Sequence, residues 1–125
     1  MLLHLDFSLD VPIYQQIRNE VVLAIAAGKL EPGMQIPPVR TLAETLGVNM
    51  MTVHKAYSLL KQEGYLVTER RAGTVVSAGH SKVIPRATQT ALALAVAEAK
   101  AAGIPLQLVL AICREAYDQP GKEVF

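Results

Sequence analysis

The chain has 125 residues, 51% of them hydrophobic, which suits one compact domain or a small domain with an appendage and argues against disorder. Its net charge of +1 is spread evenly along the chain, so composition alone gives no argument for nucleic acid. The single cysteine, Cys113, excludes an internal disulfide and a cysteine zinc site, and no run reaches the roughly 18 apolar residues of a membrane span.

The start, "MLLHLDFSLD", lacks a basic residue and a small-residue cleavage site, so no secretory signal and a cytoplasmic location are expected. A first helix is expected to open at Asp10 or Val11, with Pro12 in its first turn, where a missing N–H is harmless. Ile13, Ile17, Val21 and Ile25 recur every four positions and predict one buried stripe, closed by Gly28. "KLEPGMQIPP" reads as a loop turning at Pro32 and Gly33.

A short helix over "VRTLAETLG" follows, with Leu42, Ala43 and Leu46 on one face. Gly47 ends it, and Asn49 is placed to cap the next helix, which runs to about Glu63. Val53, Ala56 and Leu60 set the inner side of that helix and leave Met51, His54, Lys55 and Ser58 outward. Two short helices around a glycine-containing turn form the helix-turn-helix pattern. "YLVTERRAGTVVSA" then predicts two short strands about a turn at Arg71, Ala72 and Gly73, the wing of a winged helix.

From about Gly79 the character changes. "TQTALALAVAEAKAAG" is a strong helix former, and Pro105 opens a second helix, "PLQLVLAICREAYD". Leu106, Val109, Leu110, Cys113 and Tyr117 make one apolar face there, while Leu108, Ala111 and Ile112 cover much of the rest. Two helices cannot hide so apolar a surface by themselves, so a homodimer with this tail as interface is expected. Cys113 then reads as a buried, inert thiol rather than a redox sensor. The expected fold is mainly α with a small β-hairpin. A winged helix-turn-helix unit covers residues 1–78, and a two-helix dimerisation region covers 79–125.

The stretch from Pro12 to about Val76 resembles the DNA-binding domain of GntR-family bacterial transcription regulators. The landmarks are "PIYQQI", "GKLxPG", "IPxVRxLA", "LGVNxxTVxKAY" and "EGYL". The short helical tail is similar to that of the YtrA subfamily, where it serves dimerisation. The resemblance implies a homodimeric repressor of an inverted-repeat operator, often one controlling a transporter operon.

Carried onto this chain, it implies DNA contact by Arg40, which matches the arginine of the family's "PSxR" motif. Its bland alternative is a surface ion pair with Glu44. In a dimeric helix-turn-helix the start of the second helix meets base edges. Asn49 caps that start, Thr52 can donate to a phosphate or bond back toward Asn49, and His54 and Lys55 lie on a face without an acid between Asn49 and Gln62. Met51 cannot make a bidentate base contact but can pack on a thymine methyl.

Arg70 and Arg71 would extend this surface through the wing. There the chain departs from the family's Gly-x-Gly, keeping only Gly73, and Pro38 replaces a helix-capping serine. His4, His54 and His80 show no ligand spacing, and neither a catalytic set nor a cofactor site is visible, so no metal, cofactor or enzyme activity is expected. The rival reading is a winged helix used for protein–protein contact. No residue marks a small-molecule effector site; the junction from Ser77 to Pro85 is the place left for one.

Overall fold

A computed structural model describes residues 3–78 and 83–121. The chain divides into two compact units, Met1–His80 and Ser81–Phe125. The expected boundary between residues 78 and 79 abuts the stretch 79–82, which lies outside the described residues. So does His80, and so does the middle of the junction from Ser77 to Pro85.

In the first unit α1 spans Ile13–Ala26, α2 Val39–Leu46 and α3 Met50–Gln62, followed by β1 (Leu66–Glu69) and β2 (Gly73–Val76). The first helix starts later than Asp10 or Val11 because Pro12 is its N-cap, with an extended ψ of 146°. The Pro12 carbonyl accepts the first helical bond from the Gln16 amide at 3.1 Å. Gln16 is also the buried polar residue of the helix. Its amide nitrogen donates to the carbonyls of Asp6 and Val11, both at 2.9 Å, and its Oε1 accepts from the Asp6 amide at 2.8 Å. Those three bonds satisfy its side chain and tie the preceding segment to α1.

Ile17 and Val21 of the predicted stripe are fully buried, with Ile13 and Ile25 packed against the cluster. Opposite them lie Leu42 and Ala43 of α2 and Val53, Ala56, Tyr57 and Leu60 of α3. Gly47 ends α2 in the left-handed conformation (φ 69°), which lets the chain reverse direction within three residues before α3 begins.

Tyr57 buries its ring in this core, and its hydroxyl donates to the Pro37 carbonyl at 2.7 Å. Burial holds the phenol well above its usual pKa, so it stays a donor at any physiological pH. Tyr57→Phe removes the bond and leaves that carbonyl without this donor. A loss of about 1–2 kcal/mol in a denaturant melt is expected.

The hairpin is antiparallel, with Leu66 opposite Val76 and Glu69 opposite Gly73. Gly73 (φ 73°) therefore begins β2, and the turn proper is Arg70, Arg71 and Ala72. The loop between α1 and α2 is more than a connector. After the Pro32–Gly33 turn it runs alongside β2. The Gly33 amide donates to Val76 (2.8 Å), the Val76 amide to Met34 (2.9 Å) and the Ile36 amide to Thr74 (3.0 Å). The two-stranded wing thus gains backbone partners along β2 through one isolated bridge, Gln35 opposite Val75, which helps a hairpin this short.

The second unit is an α-hairpin of α4 (Arg86–Ala101) and α5 (Leu106–Asp118). Gly103 (φ 79°) ends the first of these helices and Pro105 caps the start of the second. Leu92, Val96, Leu108, Val109, Ile112 and Cys113 line the groove where the two helices meet. Neither helix holds a buried residue.

Candidate nucleic-acid interface

The outward surface of the first unit is built by α2, α3 and the wing. Asn49 Oδ1 accepts the Met51 amide at 2.7 Å, the side-chain cap that fixes where α3 begins. The pitch set by the buried Val53, Ala56, Tyr57 and Leu60 then turns Met51, His54 and Ser58 to solvent. Met51 is 73% exposed, Met50 beside it 44%, and Thr52 is half-buried. Two exposed methionines at a helix start are an apolar tip that the core does not use.

Lys55 is exposed but not free. Its ammonium lies 4.0 Å from the centroid of the Tyr14 ring on α1, a cation–π contact that restricts a flexible side chain. The sequence reading missed Tyr14, whose position directly after Ile13 in the core stripe was the available signal. Arg40, the second residue of α2, is exposed and makes no ion pair with Glu44. The ion pair among the described residues is Arg18–Glu63, at 2.9 Å. There the guanidinium also lies over Tyr65, and Glu63 raises the pKa of Arg18, so the charge is spent on joining α1 to the end of α3.

Pro38 caps α2 without a side-chain bond, so the first amides of that helix carry their partial positive charge uncompensated. That end borders a concavity shared with the wing and lined by Lys29, Gln35, Pro38, Arg71, Ala72 and Thr74. Arg70 and Arg71 are exposed on the turn, followed by Gly73. The fold therefore gathers Arg40, the α3 start and the wing turn onto one small unit. Among the described residues no group of acids, histidines and cysteine stands close enough to hold a metal.

The tail residues fall into two sets. Leu108, Val109, Ile112 and Cys113 line the groove between α4 and α5, whereas Leu106 and Tyr117, 63% and 87% exposed, do not. Leu110, 46% exposed, lies outside that groove as well. Cys113, expected to be buried in a dimer interface, is exposed in the single chain, where no partner lies against it. Leu92, Leu94 and Val96 of α4 are exposed too and were not among the expected interface residues.

A family model described as "Bacterial regulatory proteins, gntR family" matches residues 13–76. Among curated proteins the chain is similar to the transcriptional regulator Rv1152 of Mycobacterium tuberculosis. They are 39% identical over 75 residues, covering 60% of this chain and 62% of that protein. It is also similar to the uncharacterised regulator YdeL of Bacillus subtilis, 38% identical over 69 residues, 55% of this chain but only 15% of the relative. The chain thus spans less than two thirds of these relatives.

Among solved structures, a transcriptional antiterminator from Listeria monocytogenes matches with a TM-score of 0.84 at 25% identity, covering 100% of this chain and 97% of that one. YtrA from Sulfolobus acidocaldarius, a GntR-family transcription factor, matches at 0.64 and 37% identity, covering 78% and 99%. AraR(DBD), crystallised in complex with operator ORE1, matches at 0.51 and 30% identity, covering 62% and 94%. The mainly helical winged helix-turn-helix followed by two helices is thus shared with known regulators.

Proposed function

The chain belongs to the gntR family of bacterial regulatory proteins, and from that premise we propose that it is a sequence-specific transcription regulator that binds double-stranded DNA as a homodimer. The observation that carries the reading is the exposed face of α3, free of acids from Met50 to Lys61, on a unit that also exposes Arg40 on α2 and Arg70 and Arg71 on the wing turn. An α-helix presented this way fits the major groove, with its first residues at base edges. The likeness to a DNA-binding domain seen on its operator supports the same docking.

Within that surface Arg40 and His54 carry hydrogen-bonded readout, and Thr52, Lys55, Arg70 and Arg71 meet phosphates or the minor groove. Met51 reads by apolar contact. The cation–π contact favours a phosphate for Lys55, because a charge held over a ring is positioned but cannot sweep across base edges. The tail dimerises the protein, a reading its uncovered leucines support, and two copies related by a twofold axis read an inverted repeat. Repression is the output that such occupancy of an operator gives most directly.

Duplexes selected from a random pool by the protein test this. Lys55→Ala should weaken binding at least about tenfold on every sequence and lower the salt slope by about two, as loss of one phosphate contact in each half-site requires. His54→Ala should instead relax the preference at one position per half-site. Binding that is insensitive to salt and to both substitutions would leave the protein–protein reading in its place.

A further inference from the structure

We infer that Gln35, in the loop between α1 and α2, is a positioning residue that holds the wing turn so that Arg71 meets the DNA backbone. The inference rests on the DNA-binding reading above and concerns a residue that itself need not touch DNA. Gln35 Nε2 donates to the carbonyl of Ala72, a residue 37 positions later at the tip of the wing. Its own backbone is fixed, since Gln35 lies opposite Val75 in a β-bridge and its neighbours Met34 and Ile36 bond to β2. Ile36 is buried in the core, and the next carbonyl, of Pro37, is held by Tyr57 from α3.

An unbroken line of fixed atoms therefore runs from the recognition helix through Pro37 and Gln35 to the wing turn. That line explains how this wing manages with a single glycine. Arg70, Arg71 and Ala72 all keep negative φ, and only Gly73 is left-handed (φ 73°). With no first glycine to let the backbone itself approach DNA closely, contact falls to a side chain. A side chain on an unheld turn would have to be ordered during binding, which weakens affinity. The Gln35 bond orders the turn beforehand.

Full-length variants Gln35→Met, Arg71→Ala and the double variant, titrated by fluorescence anisotropy on the wild-type-selected duplex, test it. Methionine keeps the length of glutamine and removes the donor. Gln35→Met should weaken binding about fivefold for each half-site, the size of one lost hydrogen bond, and so about 25-fold for the dimer. It should also lower the salt slope as Arg71→Ala does, and cost under about twofold once Arg71 is already alanine. Amide exchange at residues 70–73 of the free protein should rise in Gln35→Met while α3 stays protected.

Losses that multiply in the double variant, or unchanged exchange at the turn, would overturn the inference while leaving DNA binding intact. A wild-type chain that selects no duplex would remove the reading beneath it, and the inference with it.

Discussion

On the proposed dimer, Leu106→Glu combined with Leu110→Glu should give a monomer and lower operator affinity about a hundredfold or more. The two leucines lie four residues apart on α5 and so share a face. Neither lines the groove against α4, which leaves the helix pair within one chain undisturbed. Burying a leucine is worth about 1.5–3 kcal/mol, and a symmetric interface loses four of them while gaining four carboxylates. Like charges facing each other across an apolar seam cannot all be paired, so the loss exceeds the area term alone.

Operator affinity falls because two linked half-site contacts become one, typically a factor of 10² to 10⁴. Sedimentation equilibrium should show the wild type at twice the 13.5 kDa chain mass and the variant at that mass. A variant that still sediments as a dimer would place the interface elsewhere.

The second large effect acts on the other unit. Leu60 is fully buried on α3, in the same cluster as Ile17, Val21, Val53 and Leu66. Leu60→Ala removes three heavy atoms from a close-packed site and should destabilise the unit by about 2–5 kcal/mol. A unit of this size has little stability to spare. A fall of at least about 10 °C in its melting midpoint is expected. DNA binding should fail at temperatures where the wild type still binds, while the tail, which does not include this core, keeps the chains associated. A melting midpoint within about 3 °C of wild type would show that the site collapses around the smaller side chain.

These two variants fall on features that were legible in the sequence to different degrees. The Ile17–Val21 stripe and the Val53, Ala56 and Leu60 phase were readable because helical periodicity is a local property of the chain. Gly47 and Asn49 were readable because a left-handed turn and an N-cap each favour few residue types. Tyr57 belongs to the same phase as Val53 and Leu60, yet its second task was hidden, since the Pro37 carbonyl it meets is 20 residues away. Tyr14 beneath Lys55 and Gln35 behind the wing were hidden for the same reason. A pairing between distant segments leaves no period.

The sequence by itself determined the elements, their order, and which side of α3 turns outward, because those follow from local propensity and spacing. It also determined that the tail has more apolar surface than two helices can bury. Only the tertiary structure decided how the outward charges are held: Arg18 committed to Glu63, Lys55 laid over Tyr14, and Arg40 left without an ion pair. It decided as well that the loop before α2 becomes part of the wing. The physical reason is that helix phase is fixed by neighbours along the chain. The partner of a long polar side chain is fixed by whichever distant backbone or ring the fold brings within its reach.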